Sequence, residues 1–439
     1  MIRQAFRANL WAFLGPAATQ ALAAALITTG LCLLASFDGA PLSPEQRVAL
    51  TDSGVGDLGL IFTLSSVYLA VLIVGVTMGT AIADQARDLA LVRTIGATPA
   101  RVRRAIAGQA ALVALPATAA GIPVGLLAGH AWLHGLVGYG VVPAEVSFRV
   151  PGGAVPIAYV VTVGTSLLGA MVAAIRPSRL RPAVALTEAM ASRRGASRVR
   201  TPLGLLLVAG GIALAVVISD LDAQTADQAG LFVMLAMSVG MGLLGPVLLR
   251  VAVPAIRRVG STGALAADSL TARAGSLSGA LVPLTLAVAF AAVTIVRGTT
   301  TAHVTSVSSP AADRWLEYSG TGAYTAFAAI AAVNTLVTVM HGRRHELAVI
   351  RLAGGTRGRT LAIVICEALV VTSTALAAGA VVAATTLLPL LHTALGTWRP
   401  WLPLSWLVAG VAATLALVLA AMVVPAAAGL RRAPIEVVG

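Results

Sequence analysis

The chain has 439 residues, of which 58% are hydrophobic and 11% are charged, whereas soluble domains carry about 25% charged residues. This composition excludes a single aqueous core. It predicts an all-α polytopic membrane protein, because many apolar runs reach the ~20 residues that cross a bilayer. The net charge is +13, and the chain contains no lysine. Because a P-loop needs a lysine on the nucleotide phosphates, we expect no ordinary P-loop ATPase site in this chain.

Ten transmembrane helices are predicted, and the third and ninth are long enough to tilt or to extend beyond the bilayer. In chain order the apolar segments cover residues 10–37, 58–83, 105–130, 153–175, 203–219, 229–250, 277–297, 322–341, 360–390 and 404–428. Arginines concentrate in alternate connections, which predicts that these connections and both termini are cytoplasmic. Since the basic charge follows membrane topology, we expect no nucleic acid as a partner.

One motif occurs twice, each time after the second span of a four-span segment. The first copy reads RDLALVRTIGATPARVRR from Arg87 to Arg104, and the second reads HELAVIRLAGGTRGRT from His345 to Thr360. An even number of spans in each segment predicts two parallel repeats, related by an axis normal to the membrane. The predicted organisation is a four-span repeat over residues 1–190, a two-span linker over 191–265 and a second four-span repeat over 266–439.

Each copy of the motif predicts a short interfacial helix, a glycine that ends it and a threonine that caps the next span. The apolar residues of this helix are expected to face lipid or span ends, and its charged residues are expected to face water. The candidate site consists of Asp88, Leu89, Leu91, Arg93, Gly96 and Thr98 in the first copy, and of Glu346, Leu347, Ile350, Arg351, Gly354 and Thr356 in the second. Taken alone, either arginine-rich loop would favour a simple topology signal without a partner.

The segments Asp88–Thr98 and Glu346–Thr356 resemble the cytoplasmic motif of the FtsX-like permease family, the membrane subunits of MacB-type ABC transporters. The ten-span layout is similar to BceB-type permeases, although no outer loop is long enough for their large extracellular domain. The resemblance implies a non-catalytic subunit of the bacterial plasma (inner) membrane that exports an amphipathic peptide, a lipid or a hydrophobic antibiotic. It also implies two separate ABC ATPase subunits, which bind ATP and magnesium and dock on the two motifs.

Two other functions remain open. An FtsX-like subunit could instead transmit the state of the ATPase to a membrane or extracellular partner. An ion-coupled carrier would need buried carboxylates, and the carboxylate of Glu367 in the ninth span, matched by Gln109 in the third, is expected to form a helix–helix hydrogen bond.

The remaining polar groups do not predict further chemistry. His130 and His134 have the spacing of a metal pair but lack a nearby carboxylate or cysteine, so no metal site is predicted. The loops contain no recognisable set of catalytic residues. A basic stretch after the fourth span is expected to contact anionic membrane lipid through Arg193, Arg194, Arg198 and Arg200.

Overall fold

The apolar runs form helices, which satisfy their backbone hydrogen bonds internally as a membrane span requires. The computed structural model describes residues 10–52, 55–84, 97–179, 197–220, 223–258, 260–306 and 310–431. Within these ranges there is no β-strand, and a one-turn 3₁₀ helix lies at Val55–Asp57. The helices are α1 (Leu10–Asp38), α2 (Pro44–Asp52), α3 (Leu58–Asp84), α4 (Pro99–Gly138), α5 (Ala154–Arg179), α6 (Ser197–Ile218), α7 (Ala223–Arg257), α8 (Gly260–Thr305), α9 (Ala311–Gly342), α10 (Arg344–Leu352), α11 (Arg357–Leu395) and α12 (Leu404–Gly429).

Ten helices in the described part of the chain are long and apolar enough to cross a membrane, which confirms the predicted all-α polytopic class. They are all the helices named above except α2 and α10. Helix α4 has 40 residues and α11 has 39. At 1.5 Å per residue each is roughly 60 Å long, about twice the thickness of the hydrocarbon core.

Helix α8 is longer than the sequence predicts. It begins at Gly260, whereas the apolar segment begins at residue 277. The added turns mix small, polar and charged residues, so their hydropathy does not distinguish them from a loop. These turns carry Ser269 and Arg273, which contact the candidate site described below.

The backbone contacts divide the chain into two compact units. The first comprises Met1–Ala189 with Pro310–Gly320, and the second comprises Met190–Ser309 with Thr321–Gly439. The predicted two-span linker at 191–265 therefore falls within the second unit. The division into two repeats and a linker stays a prediction.

In the first unit, α1 packs against α3, α4 and α5. Small residues bring α1 and α4 close together, because a Cβ atom added to Gly121 would lie 2.1 Å from the carbonyl oxygen of Ala21. Neutral polar side chains also join the helices. Gln20 donates to Thr118 at 3.5 Å, and the Thr118 and Thr162 hydroxyls are 3.0 Å apart.

In the second unit, α8 packs against α7, α11 and α12, and α6 packs against α7. A Cβ atom added to Gly379 of α11 would lie 2.4 Å from Cγ1 of Val288 in α8. Gly379 follows Thr356 at the same distance in sequence at which Gly121 follows Thr98. The close approach of the third span to the first is therefore a feature that both predicted repeats share.

The structure places Arg200 between helices, whereas the sequence predicted that it contacts membrane lipid. The guanidinium of Arg200 donates to the backbone oxygens of Leu243 at 3.0 Å and Gly242 at 2.8 Å, and to the Ser278 hydroxyl at 2.9 Å. Arg200 thus joins α6 to α7 and α8, because three acceptors meet where these helices cross. Arg193 and Arg194 lie outside the described residues, and so does the side chain of Arg198.

Candidate coupling site

The second motif folds into α10, a nine-residue helix between the spans α9 and α11. The turn after it requires glycine: Gly354 has φ = 93°, and its amide donates to the Arg351 carbonyl at 3.1 Å. The next amide, from Gly355, returns to the Ile350 carbonyl at 3.0 Å. The sequence therefore placed the end of this helix correctly, because a left-handed residue is a frequent way to end a helix.

The two motifs begin their following spans in the same way. The Thr98 hydroxyl accepts a hydrogen bond from the Arg101 amide at 3.3 Å, and the Thr356 hydroxyl accepts one from the Arg359 amide at 3.2 Å. Both threonines have extended backbone angles, with φ and ψ of −71° and 151° at Thr98 and of −72° and 158° at Thr356. Both predicted caps are therefore present. The other first-copy residues lie outside the described residues: Asp88, Leu89, Leu91, Arg93 and Gly96.

The apolar face of α10 is turned toward its own unit. Leu347 is 3% exposed and Ala348 is 4% exposed. Ile350 packs against the same core, which includes Leu277 of α8 and Val364 of α11. These residues therefore hold α10 against the spans and are not available for direct contact with a partner.

Two charged residues of α10 are also bound to their own unit, although the sequence suggested that they face water. Glu346 forms an ion pair with Arg273 of α8. Arg351 donates to the carbonyl of Leu430, just after α12, at 3.0 Å. These two contacts attach α10 to its neighbours, whereas Arg344, the first residue of the helix, is exposed.

A buried ion pair that the sequence analysis missed lies at the start of α10. Arg343 is 1% exposed and forms a two-pronged ion pair with Glu367 of α11, which is fully buried. Glu367 thus bonds across helices as expected, but to a charged partner. Two features of the sequence could have indicated this pair. A carboxylate lies inside an apolar span, where a cation stabilises it, and arginines directly follow α9.

The exposed residues of α10 are Arg344 and, spaced so that they form one stripe along the helix, His345, Val349 and Leu352. Val349 is 46% exposed and Leu352 is 53% exposed. None of these residues belongs to the predicted site. They were missed because the motif was interpreted from its charges, whereas two of the exposed residues, Val349 and Leu352, are apolar.

His130, one of the two histidines considered for metal binding, has an aromatic neighbour. It meets Phe148 edge-on, with ring centroids 5.3 Å apart. Among the described residues, His, Cys, Asp and Glu side chains form no group of three or more that could hold a metal ion.

These features define a polytopic membrane protein in which a short amphipathic helix, too short to span a membrane, is fixed to neighbouring spans. Residues 60–182 match a family described as FtsX-like permease C-terminal, which confirms the resemblance inferred from the first motif. The match supports a membrane permease component of an ABC-type system, a class of subunit that is generally non-catalytic and works with ATPase partners. The second motif lies beyond the matched range. No curated protein matches the chain.

Proposed function

We propose that the chain is the permease subunit of an ABC exporter in the bacterial plasma membrane, with both termini cytoplasmic. Two separate ATPase chains bind ATP and magnesium and drive it. The family match supports the permease class. The proposed cargo is an amphipathic peptide, a lipid or a hydrophobic antibiotic, because the spans offer mainly apolar and hydroxyl side chains and few charges that could solvate an ion.

The observation that carries this proposal is that α10 is buried on one side and exposed on the other. Its inner face is buried among the spans, while Val349 and Leu352 are exposed on the other side of a helix that is too short to cross a membrane. An apolar stripe on a short helix is suited to insertion into a groove of another protein. In this proposal α10 docks in one ATPase subunit, and the first motif, from Asp88 to Thr98, docks in the other.

Docking at α10 would transmit force because the helix is tightly connected at both ends. Arg343 alone separates it from α9, and residues 353–356 separate it from α11. When the ATPase subunits close on nucleotide, a displaced α10 carries the adjoining ends of these two spans with it. Glu346, Leu347, Ile350 and Arg351 serve in this step by fixing α10 to the bundle, while Gly354 and Thr356 form its exit turn.

Co-purification tests the docking proposal. We expect the tagged chain, extracted from its native membranes in mild detergent, to carry two P-loop ATPase chains for each permease chain. The complex should hydrolyse ATP. Val349→Glu combined with Leu352→Glu should lower the recovered ATPase by about tenfold or more, because it places two charges in an apolar groove. Val48→Glu is the matched control, since Val48 is 60% exposed on α2 and should not matter.

Recovery of the ATPase at the wild-type ratio with the double variant would show that α10 is not the docking helix. Absence of any ATPase from the wild-type preparation would contradict the permease assignment as a whole. Export is then separated from signalling by flux: proteoliposomes should move a labelled lipid or amphipathic peptide only when ATP is present.

A further inference from the structure

The buried side chain of Arg343 bonds to several helices at once. Its guanidinium contacts both carboxylate oxygens of Glu367, with Nη2 2.9 Å from Oε1. The same Nη2 donates to the Ser269 hydroxyl of α8 at 2.8 Å, and Nε donates to Glu346 at 3.3 Å. A side chain at the junction of α9 and α10 thus joins α8, α10 and α11 at one point.

The contacts continue outward as a chain of alternating charge. Glu367 binds Arg343, Arg343 binds Glu346, and Glu346 binds Arg273. The inner pair, Glu367 and Arg343, is buried, whereas the side chains of the outer pair are 44% exposed at Glu346 and 23% exposed at Arg273. The inner end of the chain of contacts is therefore desolvated and geometrically fixed, whereas its outer end can be screened by solvent.

The two predicted repeats differ at the inner end of this chain. When Thr98 is aligned with Thr356, Gln85 occupies the position of Arg343 and Gln109 that of Glu367. Of the outer pair, the acidic member keeps its charge, because Asp88 corresponds to Glu346. Both positions of the buried pair are thus glutamine in the first repeat. The two opposite charges are present together in the second repeat and absent together in the first.

We propose that Arg343 is a positioning residue that locks α10 to α8 and α11, and that this lock belongs to the second repeat alone. When the ATPase moves, α10 then carries α8 and α11 with it as one rigid body. This inference rests on the proposed function of α10 as a coupling helix.

The physical reason is the geometry of the pair. A planar guanidinium held by both carboxylate oxygens fixes the orientation as well as the distance of the joined helices. Two glutamine amides are neutral, so burying them requires a fixed partner less strictly than burying two opposite charges does. A displaced α10 would have to separate desolvated charges, so displacing α8 and α11 with it is favoured.

The test gives the second repeat the chemistry of the first. We expect Arg343→Gln combined with Glu367→Gln to keep the thermal midpoint of the permease, because both charges leave together. Amide hydrogen exchange of residues 344–352, measured on the permease alone, should become about tenfold faster or more. In the complex with ATPase, kcat for ATP should fall by about threefold or more at unchanged KM, since docking and nucleotide binding are intact.

A matched control removes the exposed ion pair between α7 and α8 through Arg257→Gln with Asp268→Asn. Its side chains are 59% and 66% exposed, and this variant should leave exchange, midpoint and kcat unchanged. Exchange at the wild-type rate in the glutamine pair would overturn the lock. Fast exchange with unchanged kcat would overturn its role in transmission. Because exchange is measured without ATPase, a failure of the docking proposal is recognised separately, by the absence of a complex.

Discussion

The two units of this chain join their helices through different chemistry. In the described part of the first unit, neutral side chains bond across helices, from Gln20 to Thr118 and from Thr118 to Thr162. In the second, arginines make the corresponding junctions, with Arg343 on Glu367 and Arg200 at the crossing of α6 and α8. Neutral bonds join helices without a large penalty when they break, whereas buried charges permit few alternative arrangements.

In their glycine contacts, by contrast, the two predicted repeats are alike. Gly121 and Gly379 hold equivalent places on the third span of each predicted repeat, and each lies against the first span. Close packing in a bilayer depends on small residues at the interface whatever polar chemistry accompanies it. The close approach of these two spans is therefore a backbone feature that both predicted repeats share.

The largest expected effect comes from breaking the buried pair on one side. Arg343→Ala leaves the fully buried Glu367 without its cation, which should lower the free energy of unfolding by about 3–5 kcal/mol. Unfolding in mixed detergent micelles measures this value. Arg257→Ala, which breaks a pair exposed on both sides, should cost less than about 1 kcal/mol. Equal losses for the two variants would mean that the buried pair adds no more than a surface pair.

A smaller difference should separate the two glycines. Gly121→Ala forces a methyl group onto a backbone oxygen, at 2.1 Å, and should cost about 2–3 kcal/mol. Gly379→Ala meets Val288 instead, at 2.4 Å from Cγ1 and 2.7 Å from Cβ. We expect about 1–2 kcal/mol, and only partial recovery when Val288→Ala is added, because that change removes Cγ1 but keeps Cβ. Unfolding in mixed micelles again gives the values.

Gly108→Ala is the control for this comparison, because Gly108 lies on α4 with open space around it. It should be neutral or stabilise the helix by up to about 1 kcal/mol, since alanine is the better helix former. The close approach of the two spans would be contradicted if Gly121→Ala and Gly108→Ala behaved alike.

Much of this architecture could be predicted from the sequence, because span number depends on the length and polarity of each run and not on the neighbours of that run. The turn at Gly354 and the caps at Thr98 and Thr356 were also predictable, since their geometry is local. The partners of Arg343 and Arg200 were not predictable, because they lie on other helices. Hydropathy indicates that Glu367 is buried, but which cation neutralises it depends on how α8, α10 and α11 pack.

The smallest expected effect tests whether the neutral junction is as weak as its chemistry indicates. Thr118→Val keeps the shape of the side chain but removes the hydroxyl between Gln20 and Thr162. Hydrogen bonds between membrane helices average about 0.6 kcal/mol, so the unfolding free energy should fall by about that amount. Thr28→Val is the control, because Thr28 is fully buried but donates within its own helix, to Ala24 at 2.7 Å. If Thr118→Val cost as much as Arg343→Ala, the neutral and charged junctions would be equally strong, and the asymmetry between the repeats would lose its energetic basis.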